Sequence, residues 1–137
     1  MHFPDHLKYT SEHEWINITE EKTADGRPIA IVGISDFAQS ELGELVYIEV
    51  DTVGDKLAKD AIFGTVEAVK TTSDLFMPLS GEVLEFNSAI SESGGDNPGL
   101  INNDPYGEGW IIKVALTDTS EIDMLMGSLA YRELVGA

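Results

Sequence analysis

The chain has no cysteine in its 137 residues. That excludes disulfides, thiolate metal sites and cysteine nucleophiles together, and makes a reducing cytosol the expected setting. Cations are scarce. Eight Lys and Arg stand against 25 Asp and Glu, for a formal net charge of −17. Such a surface repels nucleic acid and anionic membranes, keeps the protein soluble and favours partners presenting basic patches. No apolar run approaches the roughly 20 residues that cross a bilayer. The opening MHFPDHLKY lacks the cationic stretch and apolar run of a secretory signal. The three histidines, His2, His6 and His13, show no metal-ligand spacing, and two of them fall in a terminus expected to fray. His13 is expected to be structural, beside Trp15. FGTVEAVKTTSD departs from the P-loop spacing, and no nucleophile-elbow motif accompanies the Ser, His and Asp residues. The expectation is one cytoplasmic domain, acting as a monomer, that buries roughly 68% of its unfolded surface.

What is present is mostly strand signal. EWINIT and PIAIVGI are rich in β-branched and aromatic residues, with an Asp-Gly turn between them. SDFAQSELG reads as a short helix near 35–42: Ser35 caps it, Asp36 suits the positive end of its dipole, Ala38 and Leu42 share a face, and Gly43 closes it. In ELVYIEV, alternation sets Leu45, Tyr47 and Glu49 opposite Val46, Ile48 and Val50. AIFGTVEAV and LFMPLSGEVLEF follow, with Pro78 marking an edge or break because it cannot donate to a ladder. A long segment rich in Gly, Asn, Pro and Ser, starting at Asn87, reads as loop before the last strand, WIIKVAL. From Asp118 the period becomes helical, with Ile122, Leu125, Met126 and Leu129 on one face. Asp118 and Glu121 have capping-box spacing, and Gly127 can divide the segment at about 118–135 into two helices. GELVYIEV and GEVLEFNS echo each other weakly, as two related half-sheets would.

One residue stands apart. Between Lys59 and Lys113, Lys70 is the only Lys or Arg, and it lies at the bend of a hairpin at about 61–83. An amine held out on a stiff base suits covalent acylation. A long acyl group on that stem would reach about 14 Å from Cα by standard bond dimensions.

Four ordered motifs carry a resemblance from Leu7 to Leu134. LKYTSEHEW, VGISDFAQSELGELVYIEV, FGTVEAVKTTSDLFMPLSGEV and PGLINNDPYGEGWIIKV together resemble the H proteins of the glycine cleavage system. The resemblance implies a mainly β fold, a lipoyl/biotinyl-type barrel-sandwich hybrid of two antiparallel sheets. It implies lipoic acid amide-linked to the lysine matching Lys70, and a carrier with no catalysis of its own. The implied partners are a pyridoxal-phosphate glycine decarboxylase, a tetrahydrofolate-dependent aminomethyltransferase, a flavin-dependent dihydrolipoyl dehydrogenase and an enzyme that transfers lipoyl or octanoyl groups. The aminomethyl cargo carries an amine, so a groove receiving it calls for carboxylates and apolar walls. Glu12, Glu14 and Asp74 are the candidates, with Glu14 and Asp74 implied to lie nearest the arm. TEEKTADGRP and SESGGDNPG look longer than the family's pattern, and Thr71 and Thr72 stand where smaller residues are common. A carrier that relays lipoyl groups to other enzymes, or a biotin-carrier-type domain, fits the same hairpin. The biotin pattern would place methionines where Val69 and Thr71 stand.

Overall fold

Nine strands and three α-helices are described over residues 1–136 in a computed structural model of the chain. The strands are β1 (Lys8–Tyr9), β2 (Glu14–Lys22), β3 (Pro28–Ile34), β4 (Leu45–Glu49), β5 (Lys56–Leu57), β6 (Ile62–Ala68), β7 (Thr72–Phe76), β8 (Gly81–Phe86) and β9 (Ile112–Leu116). Six form one sheet in the order β1-β2-β3-β9-β8-β5, and three form a second in the order β4-β6-β7. Every pairing is antiparallel. The chain crosses between sheets after Phe76, where Pro78 lies outside both ladders, as its missing N–H requires. The two echoing segments became β4 and β8, one in each sheet.

Inward side chains from the two sheets meet in one apolar core. Ile16, Val32, Val83, Ile112 and Val114 come from the larger sheet, and Ile48, Phe63, Val66 and Leu75 from the smaller. A second cluster is aromatic and ties down the N-terminus: Phe3, Leu7, Tyr9, Trp15 and Tyr131 are all buried. The expected fraying is therefore corrected. Burying side chains such as Phe3 and Leu7 contributes about 1.5–3 kcal/mol each, and the Tyr106 hydroxyl donates to the His2 carbonyl at 2.7 Å.

Helix α1 (Asp36–Leu42) forms as its sequence directs. Ser35 accepts from the Ala38 N–H, and Gly43 ends the helix at φ 79. The long loop is interrupted by α2 (Gly99–Asn103), a turn of helix not expected from its composition. Asn102, within this helix, accepts from the Leu45 N–H and donates to Gly43 O and Gln39 Oε1. The expected alternation in β4 fails. Leu45 pairs with Ala68 and Tyr47 with Glu67, so Val46 is a surplus residue in a bulge. Leu45 and Ile48 are both buried as a result, and Val46 is 46% exposed.

The C-terminal segment also differs from its sequence reading. Thr119–Met124 is a 3₁₀ helix, Leu125 is extended, and α3 runs over Ser128–Val135 with Gly127 before it. Met126 pairs with Tyr9 instead of continuing a helical face: Tyr9 N–H donates to Met126 O at 2.8 Å, and Met126 N–H to Tyr9 O at 2.9 Å. Leu129 is 69% exposed. No capping box forms either, because Glu121 instead accepts from Ser80 N–H at 2.7 Å and Ser80 Oγ at 2.8 Å.

Candidate functional site

Lys70 lies at the tip of the β6–β7 hairpin. Glu67 pairs with Thr72, and Ala68 N–H donates to Thr71 O at 2.7 Å, which leaves Val69 and Lys70 as the two turn residues. Neither has a positive φ, so the turn imposes no strain that would call for glycine. A further hydrogen bond, from Val69 N–H to Glu44 O at 3.1 Å, pins the tip to the segment between α1 and β4. Val69 is 65% exposed and Lys70 is also exposed, with no ion-pair partner among the described residues. The hairpin thus holds a solvent-facing amine on a fixed base.

Beside it runs a surface track. Lys70, Val69, Glu41, Leu42 and Glu44 line a shallow depression, and Glu41 and Leu42 continue into a neighbouring groove of about 300 Å³. All three carboxylates expected from the sequence line that groove: Glu12, Glu14 and Asp74. Glu41 adds a fourth, no Lys or Arg lines it, and its apolar walls include Ile34, Phe37, Val66 and Leu75. Distance agrees with this layout. Asp74 is four residues from Lys70 along the hairpin, about 13 Å at strand rise, and the acyl arm reaches about 14 Å.

The three acids differ in setting. Glu12 and Asp74 are exposed, whereas Glu14 is 2% exposed. Glu14 starts β2 directly after a tight turn in which Thr10 N–H donates to Glu14 O at 3.0 Å and His13 N–H donates to Thr10 O at 3.0 Å. His13 pays for that turn with φ 74, in the left-handed region. Thr10 Oγ1 donates to Glu14 Oε1 at 2.7 Å. Burial pushes the Glu14 carboxyl up to about 7, with Glu12 and Asp60 adding to the rise; the hydrogen bonds from Thr10 and the Phe76 backbone oppose it. Glu14 can therefore exchange its proton near neutrality, and a cation arriving in the groove would favour the ionised form.

His13 was misplaced by the sequence reading. Its ring lies against Phe37 at 5.0 Å and bonds Tyr131 Oη at 2.8 Å, and it lines the groove. Trp15 points elsewhere, with its Nε1–H donating to Pro105 O at 2.9 Å. The missed signal was tertiary, since Tyr131 is 118 residues away. Among the described residues no three His, Asp or Glu are placed to hold a metal ion, and no helix is long and apolar enough to cross a membrane.

An accessible lysine amine, an arm-length track and a dry-walled acidic groove fit a swinging acyl carrier. Comparison with known proteins gives the same class. The family model described as glycine cleavage H-protein matches residues 7–137. The chain is 47% identical over 136 residues to the glycine cleavage system H protein of Chlorobium limicola, covering 99% of each chain. It is 49% identical over 135 residues to that of Bacteroides thetaiotaomicron, covering 98% of each. The crystal structure of a glycine cleavage system H protein from Mycobacterium marinum superposes with a TM-score of 0.83 at 37% identity, covering 98% of this chain and 100% of that one. The two-sheet β architecture with short helices is thus that of a solved relative, and the chain belongs to the glycine cleavage H-protein family, the non-catalytic lipoyl carriers of the glycine cleavage system.

Proposed function

We propose that Lys70 is the lipoyl attachment site and that the groove beside it holds the loaded arm between visits to partner enzymes. Membership of the glycine cleavage system brings the P, T and L proteins as partners, and the family carries its cofactor as lipoyl-lysine. The single observation that supports the reading most is the pairing of an exposed amine at a pinned hairpin tip, without an ion-pair partner among the described residues, with a groove lined by Glu12, Glu14 and Asp74 at arm's length. When attached, the lipoyl group supplies a dithiolane that takes up the aminomethyl cargo and is later reoxidised.

Everything else falls to the chain's own residues. The β6–β7 ladder keeps the tether rigid, and Val69 N–H fixes the tip against Glu44. Ile34, Phe37 and Leu75 exclude water from one side of the groove. Glu14 is the principal acceptor for the cargo's amine, because desolvation strengthens a charge-assisted hydrogen bond that exposed Glu12 and Asp74 can only supplement. Taking up the amine as a cation releases the Glu14 proton, so the groove exchanges one charge for another.

The 137 residues act as one carrier domain, unmodified until an enzyme that transfers lipoyl or octanoyl groups acylates Lys70. The acidic surface suits transient encounters of a monomer with several enzymes and disfavours nucleic acid and membranes. The relatives are bacterial, which supports a cytoplasmic setting. Glycine-dependent release of carbon dioxide, measured with purified P, T and L proteins, tests the assignment. Lys70→Arg is expected to abolish turnover while leaving the fold intact, and equal turnover by both proteins would remove Lys70 from its role.

A further inference from the structure

We propose that Tyr131, on the C-terminal helix, is a positioning residue that holds His13 neutral on the groove wall, so that no imidazolium competes with the groove carboxylates for a cationic cargo. The inference rests on the groove reading above and assigns a task to an element that reading leaves unused.

The direction of a hydrogen-bond chain carries the argument. Ser35 is fully buried, and its Oγ already accepts from the Ala38 N–H at 3.1 Å to cap α1. Among the described residues the hydroxyl proton of Ser35 has one neighbouring acceptor, Tyr131 Oη at 2.7 Å. With that lone pair engaged, Tyr131 donates its own proton to His13 Nδ1 at 2.8 Å. Nδ1 is then an acceptor, and the imidazole carries its proton on Nε2. Charging His13 would place a proton on Nδ1 and reverse the chain. Tyr131 would have to accept from His13 and turn its proton towards Ser35, stranding the Ser35 proton in a dry site.

Tyr131 has little freedom to relax from this arrangement. Its ring stacks on Tyr9 at 4.7 Å and 5°, Phe3 meets it edge-on at 5.3 Å, and Tyr9 is itself held by its hydroxyl donating to Pro4 O at 2.7 Å. Burial pushes the Tyr131 hydroxyl up to about 12, so it stays a donor at any physiological pH.

The electrostatic setting explains why such a restraint is needed. Glu12 and Glu14 flank His13 in its own turn, Glu41 faces it from α1, and Asp74 lines the same groove from β7. Carboxylates around an imidazole favour its charged form, and Glu12 and Glu41 do raise its affinity for a proton. Burial outweighs them and lowers it. Tyr131 acts in the same direction as burial, by occupying the nitrogen that would take the proton. An imidazolium here would pair with the acids that the cargo's amine requires.

Two measurements test the proposal. The first is ¹⁵N NMR of the unmodified protein, and it does not depend on any lipoyl group. His13 is expected to show a bare Nδ1 and a protonated Nε2 near neutral pH, and Tyr131→Phe is expected to let the ring charge at higher pH. A proton on Nδ1 in the wild type, or unchanged titration in Tyr131→Phe, overturns the proposal.

The second follows hydrolytic loss of cargo at about pH 6.5, near the ordinary pKa of an imidazole. Reduced, lipoylated protein is loaded with formaldehyde and ammonia: a thiol sulfur and the ammonia nitrogen each bond the methylene carbon, and water leaves. Tyr131→Phe is expected to speed the loss roughly fivefold, the scale of one neutral hydrogen bond. In a His13→Asn background it is expected to have no effect, because Asn accepts a positive φ and an acceptor role but never carries charge. Equal acceleration in both backgrounds would make Tyr131 a packing residue only and would overturn the proposal, as would no acceleration in either. A Lys70 found unmodified would sink the carrier reading instead, leaving the NMR result to decide the state of His13.

Discussion

Replacing Glu14 by Gln should make the protein more stable at neutral and alkaline pH. The native carboxyl holds its proton up to about pH 7, while an ordinary glutamate releases its own near 4.5. Below the lower value both native and unfolded states are protonated, and burial of the side chain costs nothing in ionisation. As pH rises between the two values the unfolded chain gives up its proton and the native state does not, so stability falls. Above about pH 7 the loss is complete. At about 1.4 kcal/mol per pH unit over that interval, an ionised Glu14 costs the native state about 3 kcal/mol. Gln keeps the carbonyl that accepts from Thr10 Oγ1 and has no proton to lose. Urea unfolding of both proteins at a series of pH values measures the effect, and taking their difference cancels the repulsion that both suffer from the shared acidic surface. The wild type should lose about 3 kcal/mol relative to Glu14→Gln between about pH 4.5 and pH 8. A difference that stays flat across that range would show that Glu14 is not held in its neutral form by burial, and the proton-exchange argument for the groove would fail. The same substitution should shorten retention of the aminomethyl cargo, because an amide cannot become the counter-ion. A group that weakens the fold at working pH is what a binding role, as opposed to a structural one, would leave behind.

Other substitutions probe neighbouring parts of the account. Asp74→Asn should leave unfolding midpoints nearly unchanged, as expected of an exposed side chain, yet release cargo a few-fold faster, and that release should be less sensitive to salt than in the wild type. Ser35→Ala removes the cap of α1 and the hydrogen bond to Tyr131, and should cost about 2 kcal/mol in urea unfolding. Gly33→Ala would set a methyl group 2.6 Å from the Trp15 ring, which is tethered through Nε1 to Pro105 O. It should cost about 1–3 kcal/mol by overpacking, measured the same way.

Local chemistry made much of this molecule readable. Ser35, Asp36 and Gly43 bracket α1 because capping is decided within a few residues, and the structure places Ser35 and Gly43 at its two ends. The β6–β7 hairpin with Lys70 at its bend followed from two strand-forming runs and a polar break. The reading failed where distant partners decided the outcome. Met126 has helical spacing in the sequence but is drawn into a bridge with Tyr9, and Glu121 leaves its capping-box geometry to bind Ser80. The bulge at Val46 flips half of β4, a change that no alternation pattern in the strand alone records. The groove was half legible. Charge chemistry together with the family resemblance pointed to Glu12, Glu14 and Asp74, but only the tertiary fold shows that Glu14 is buried, that Glu41 joins the lining and that His13 is tied to Tyr131.

The central claim is that one solvent-facing amine tethers the working group. Mass spectrometry of the peptide containing Lys70, from protein made in a cell that lipoylates its own carriers, tests this most directly. The account expects a lipoyl or octanoyl increment on Lys70 and on no other lysine. An unmodified Lys70, or the increment on Lys56, Lys59 or Lys113, would contradict it.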